Sequence, residues 1–147
     1  MSHFPERKKL RLADYDYSKE GFYFLTVCTR ERKQILSEIV SDDTERRVKV
    51  KLSPLGTIVQ SFIETIPGID KYVIMPNHVH LIVHKTNGKS LFSDIRSFKS
   101  LVTKRIGVSI WQDSYYDHVI RNREDYLEKW RYIDENPAKW AEDEYNA

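Results

Sequence analysis

An α+β sandwich, with helices packed on a ferredoxin-like antiparallel β-sheet, is the architecture this sequence predicts. Runs of aromatic and β-branched residues alternate with stretches of helical periodicity, and two strand-like runs are separated only by Pro76-Asn77. The resulting order (strand, strand, helix, strand, strand, helix, strand, helix) contains a β-α-β-β-α-β succession. At 147 residues the chain fits a single domain, 1–147, and its 40% hydrophobic and 12% aromatic content can supply a core. Any bound metal would therefore serve chemistry rather than hold the fold together.

Gly21 to Thr29 is rich in aromatic and β-branched residues and reads as a strand buried on both faces. Ser37 to Arg47 is polar enough to be a mobile excursion, after which Val48, Val50 and Leu52 alternate with charged residues in a half-exposed strand. Ser53 and Pro54 suit an N-cap and first helical position, and Leu55, Ile58, Val59, Phe62 and Ile66 keep helical spacing until Pro67-Gly68. Lys71 to Met75 and His78 to His84 then form a hairpin. Ile95, Phe98, Val102 and Ile106 mark a second helix from Leu91 to Gly107, where a glycine suits the helix end. A short strand from Tyr115 to Ile120 leads to Asn122, an N-cap with Glu124 and Asp125 in the first turn of a third helix that runs to about Asn136.

Composition narrows the function classes. Cys28 is the single cysteine, so no internal disulfide forms, and the first residues lack the apolar stretch of a secretory signal. A reducing, cytoplasmic setting is expected. No apolar run approaches the roughly 20 residues of a membrane-spanning helix, so no membrane partner is expected. Net charge is only +2, from 24 basic and 22 acidic residues, which makes charge distribution more informative than its sum. Basic residues gather at Arg7, Lys8, Lys9 and Arg11, at Arg30, Arg32 and Lys33, and at Arg96, Lys99, Lys104 and Arg105.

Side chains two apart on a strand share a face, so His78 and His80 project together, away from Val79 and Leu81. Two imidazoles can hold one cation and leave positions open for a substrate oxygen. Ordinary hydrogen-bonded histidines would show the same spacing, which does not choose between the two. His84 lies about 13 Å along the strand from His80 and is not expected to join them.

On the third helix Tyr132 and Asn136 are four apart and share a face, while Tyr126, Trp130 and Ile133 mark a core-facing stripe. Pro137 disfavours helical geometry at Asn136, which places the pair in the last turn. A tyrosine hydroxyl, with a pKa near 10, is a poor nucleophile unless its target is polarised. The amide oxygen of Asn136 suits a hard or borderline cation. Among nine tyrosines, spacing alone leaves Tyr115, Tyr116 and Tyr126 as rivals to Tyr132.

The run Tyr72-Val-Ile-Met-Pro-Asn-His-Val-His-Leu-Ile-Val83, then Tyr116-Asp-His-Val-Ile-Arg-Asn122, then Asp125-Tyr126 and Tyr132-Ile133 with Asn136-Pro137, resembles the single-tyrosine HUH transposases. The nearest relatives by this resemblance are the REP-associated tyrosine transposases, matched over about residues 20 to 140. The resemblance implies the HUH transposase fold, His78 and His80 as metal ligands, Tyr132 as nucleophile, and Asn136 as a third ligand where insertion-sequence members carry glutamine. It also implies magnesium or manganese as cofactor. Tyr132 would attack a backbone phosphate of single-stranded or hairpin DNA, giving a 5′-phosphotyrosine link and a free 3′-hydroxyl, and reversal would rejoin strands.

Arg96, Lys99 and Thr103, with Arg30, Arg32 and Lys33, are the expected DNA-backbone contacts, and the arm around Arg7 to Arg11 the expected grip on a stem or flanking sequence. Similar transposases include homodimers, in which the tyrosine helix serves the partner's histidines, and proteins that act alone. Two other classes compete: a domesticated hairpin-binding protein that does not cut, and a zinc hydrolase using His78, His80 and His118 with water as nucleophile.

Overall fold

Hydrogen-bonding demand and side-chain alternation together build one central sheet. The computed structural model describes residues 21–42, 47–85 and 91–146. Its elements are β1 (Gly21–Cys28), β2 (Ser37–Asp42), β3 (Arg47–Leu52), α1 (Pro54–Ile63), β4 (Ile69–Ile74), β5 (His78–Lys85), α2 (Leu91–Ile106), β6 (Tyr116–Ile120) and α3 (Arg123–Glu135). Short 3₁₀ turns occupy Arg30–Arg32 and Pro137–Glu142.

Four strands form an antiparallel sheet in the order β4-β5-β1-β6. This is the ferredoxin-like arrangement, β1-α1-β4-β5-α2-β6, with α3 added after it. The two central strands alternate between faces. Leu25, Val27, Val79, Leu81 and Val83 join Val59 and Ile63 of α1 and Ile95, Phe98 and Val102 of α2 in one apolar layer. On the opposite face Phe22, Phe24, Ile82 and Ile120 pack against Tyr126 and Ile133 of α3. The histidine pair belongs to this second face.

Helix ends follow their caps. Ser53 Oγ accepts from Gly56 N, and Asn122 Oδ1 accepts from Asp125 N. α2 stops at Gly107, whose φ of +95° is one that side-chain-bearing residues rarely adopt. The Lys85 ammonium pairs with Asp94 in the first turn of α2, a buried contact that ties the helix to the end of β5.

Two expectations are corrected. Ser37–Asp42 is a strand, paired antiparallel with β3 in a separate two-stranded sheet; Ile39 and Val40 supply β-propensity that the polar neighbours mask, and the ladder to Val50 and Lys49 comes only with pairing. Asn136 keeps helical geometry, φ −55° and ψ −45°, although proline follows it. Pro137 opens a new helical turn, a position where its missing N–H is not needed. The basic arm around Arg7 to Arg11 lies outside the described residues.

Candidate active site

β5 delivers His78 and His80 to the α3 face, opposite Cys28 and Thr26 of β1. Both imidazoles are buried, with 0% and 1% exposure, and their ring centroids are 4.6 Å apart. Each Nδ1 is held. Asn77 spends both amide protons on the carbonyls of Arg32 (3.3 Å) and Tyr145 (2.7 Å), so its Oδ1, 2.8 Å from His78 Nδ1, acts as the acceptor. His78 therefore carries its proton on Nδ1. Thr26 Oγ1 holds His80 Nδ1 at 2.8 Å. Partners of this kind orient metal-binding histidines.

α3 brings the tyrosine. The Tyr132 ring centroid lies 5.1 Å from that of His80 and 5.9 Å from that of Phe24, each edge-on, within the same chain. The helix is anchored to β4 by the Tyr126 hydroxyl donating to Asp70, by Lys71 pairing with Asp134 at 3.1 Å, and by Lys71 over the Trp130 ring at 3.7 Å. Tyr126 is thereby committed to Asp70. Tyr132 remains 39% exposed at a cavity of about 280 Å³ whose walls include Asn136, Asp143 and Glu144.

Among the buried polar atoms without a hydrogen-bond partner are His78 Nε2, His80 Nε2 and Asn136 Oδ1, with Asp143 Oδ2 in the wall of the same cavity. A buried polar atom without a partner is costly, and three converging from β5 and the end of α3 are what a divalent cation would satisfy. Two imidazole nitrogens and one amide oxygen fit manganese, and through its oxygen preference partly magnesium, with positions left over for phosphate oxygens. No group of three or more His, Cys, Asp or Glu with metal-binding geometry occurs among the described residues. His118 instead bonds Asp125 through Nε2 at 2.8 Å, which removes it from the zinc-hydrolase arrangement.

Burial sets the protonation states. Desolvation lowers His78 to about 4, with a smaller opposing pull from Asn136 and a further push from Arg32; Asn136 acts at this range without completing a hydrogen bond. Desolvation, helped by the charge of His78, drives His80 well below its ordinary value. Both are neutral near pH 7, the form that binds metal. Burial raises the Tyr132 phenol, Asp143 and Glu144 add to this, and Asn136 pulls it back.

Sequence reasoning missed Tyr145. Its ring lies 4.5 Å from His78 and 6.1 Å from His80, held by the Asn77 bond to its carbonyl and by the Arg32 guanidinium 5.2 Å from its centroid. Arg32 reaches it from a left-handed backbone at Glu31 and Arg32, φ 59° and 54°, a strain that non-glycine residues rarely carry. No spacing in the sequence marks a tyrosine so far beyond α3. Its phenol is pushed up to about 12, chiefly by burial.

The expected DNA contacts separate into two places. Arg96, Lys99 and Thr103 line one wall of a cavity between α2 and residues 109–115. Lys99 is partly committed, since its ammonium donates to the carbonyls of Gln112 (2.7 Å) and Asp113 (3.1 Å). Arg30 reaches toward this cavity, donating to Ser109 Oγ at 3.3 Å, whereas Arg32 belongs to the Tyr145 contact. Lys33 is exposed beside Glu31 at 3.7 Å.

No family model matches the chain. An uncharacterised protein of Haemophilus influenzae is 30% identical over 94% of this chain and 92% of its own length. The REP-associated tyrosine transposase of Escherichia coli is 32% identical over 84% of this chain and 70% of its own. A solved REP-associated tyrosine transposase bound to a REP hairpin superposes with a TM-score of 0.63 at 28% identity, covering 95% of this chain and 74% of that one. With the four-stranded sheet, the paired histidines and the helix-borne tyrosine in one fold, these likenesses establish that the chain belongs to the family of REP-associated tyrosine transposases.

Proposed function

We propose that this protein nicks and rejoins single-stranded, hairpin-forming DNA through a covalent 5′-phosphotyrosine intermediate on Tyr132. The observation that carries this reading is the meeting of His78 Nε2, His80 Nε2 and Asn136 Oδ1, all buried and unpartnered, beside the Tyr132 ring. The hairpin bound by the structural relative supports a hairpin substrate.

His78, His80 and Asn136 would hold a divalent cation, magnesium or manganese, which when bound polarises and orients the scissile phosphate. Thr26 and Asn77 keep the two imidazoles turned so that each Nε2 faces the site. Phe24 and His80 fix the Tyr132 ring edge-on, and its hydroxyl oxygen forms the new bond to phosphorus as the bond from phosphorus to the 3′ oxygen breaks. The proton released by the phenol ends on the departing 3′ oxygen. The same steps in reverse, with another 3′-hydroxyl, join strands. Tyr132 and the histidine pair come together within one chain, which supports action in cis.

A second reading, a hairpin-binding protein that does not cut, draws on the Tyr145 ring covering His78. Denaturing electrophoresis of the protein after incubation with a labelled hairpin oligonucleotide and manganese separates the two. A covalent adduct that disappears with chelator supports nicking. Tight binding without any adduct supports the second reading.

A further inference from the structure

Asp143 follows the turn Pro137–Glu142 and lines the cavity of about 280 Å³ that Tyr132 and Asn136 also face. Its carboxyl is held in place: Tyr145 N donates to Oδ1 at 2.8 Å, and Asp143 N donates to Trp140 O at 3.0 Å. The segment is pinned beside the histidines by Asn77, which donates to Tyr145 O at 2.7 Å. One carboxyl oxygen is thereby spent. The other, Oδ2, is buried and has no hydrogen-bond partner, and a carboxylate oxygen stripped of water without a donor is costly. The other acids of the cavity are relieved by solvent, since Glu135, Glu142 and Glu144 are exposed and Glu135 also pairs with Lys139 at 3.2 Å.

We propose that Asp143 Oδ2 is the proton acceptor for Tyr132, taking the phenol proton, directly or through one water, as the hydroxyl oxygen attacks phosphorus. The role rests on the reading of Tyr132 as the nucleophile. With His78 and His80 the carboxylate makes no metal-binding triplet, so it serves the tyrosine rather than the cation. Its charge does reach the phenol: after burial, Asp143 is the largest influence that raises Tyr132.

That upward push would hinder a mechanism in which the phenol ionises first. A carboxylate with a pKa near 3.9 cannot hold the proton of a free phenol near 10. The order reverses as the bond to phosphorus forms, because the attacking oxygen then becomes positive and its proton strongly acidic. Transfer therefore accompanies attack, as general-base catalysis. The O–H bond of Tyr132 breaks and one forms on Asp143. The bond from phosphorus to the 3′ oxygen breaks with its electron pair on that oxygen, which is protonated from water. In the joining step, protonated Asp143 returns the proton to the Tyr132 oxygen as the phosphotyrosine bond breaks, and the attacking 3′-hydroxyl releases its own to water.

The test is the single-turnover rate of adduct formation with a saturating labelled hairpin oligonucleotide and saturating manganese. Asp143→Asn keeps the shape and the acceptor for Tyr145 N, and should slow the adduct by roughly 100- to 10,000-fold. Oligonucleotide binding by anisotropy, thermal melting and the manganese concentration for half-maximal rate should stay at wild-type values. Added formate, a free carboxylate, should restore part of the rate in Asp143→Ala and none in Tyr132→Phe. An undiminished rate in Asp143→Asn overturns the inference. So does a loss that more manganese recovers, which would assign Asp143 to the cation, and so does a loss in Asp143→Ala that formate leaves untouched. A wild type that forms no adduct refutes the proposed function itself, and this role with it, before any variant is compared.

Discussion

The two faces of the central sheet are built from the same strands and have opposite characters. On one, Val79, Leu81 and Val83 of β5 meet α1 and α2 in an apolar layer. On the other, His78 and His80 interrupt a layer otherwise made of Phe22, Phe24, Ile82 and α3, and leave buried nitrogens without partners. The first face obeys packing alone. The second sacrifices packing and hydrogen-bond satisfaction at one end, which is where natural folds place function.

Substitutions on adjacent residues of β5 can break or sharpen that contrast. Leu81→Ala, at a fully buried position, should cost about 2–5 kcal/mol in denaturant unfolding, with any activity loss explained by unfolding. His80→Ala should abolish adduct formation, while its unfolding midpoint stays much nearer the wild type than that of Leu81→Ala. An equal stability loss in both would show that the histidine face is ordinary core.

A smaller effect is expected one step out. Thr26→Val removes the partner of His80 Nδ1 and should weaken manganese affinity by roughly 10- to 100-fold, measured by titrating adduct yield against metal. Tyr145→Ala, which takes the ring off His78, should act in the opposite direction and raise adduct yield at limiting manganese.

The smallest predicted effect is at the other end of α3. Burial pushes the Asp125 carboxyl upward, but His118, Lys129 and the Arg121 N–H outweigh this and hold it below its ordinary value. A carboxylate shifted down contributes stability that is present above its unfolded pKa, about 3.9, and lost as pH falls through the lower folded value. Asp125→Asn should remove that limb from an acid-unfolding profile and leave the curve above pH 5 or so with the same shape.

Much of this was legible in the sequence because it is local. Alternation assigned His78 and His80 to one face, and the caps at Ser53 and Asn122 placed α1 and α3. What escaped depends on contacts between distant segments. The strand at Ser37–Asp42 needs β3 as its partner. Tyr145 reaches His78 only through Asn77 and Arg32. Lys99 reads as a free cation on a helix stripe until the loop carbonyls of Gln112 and Asp113 fold against it. The distance between Tyr132 and the histidines was likewise fixed by tertiary anchors, Asp70 to Tyr126 and Lys71 to Asp134.

Two tyrosines, 132 and 145, stand within ring-contact range of the same histidine pair, so the most direct test is to locate the DNA on the protein. Protease digestion of the manganese-dependent adduct, followed by mass spectrometry of the nucleotide-bearing peptide, should find the phosphate on Tyr132, and Tyr132→Phe should yield no adduct. An adduct on Tyr145, or one that persists in Tyr132→Phe, would contradict the account.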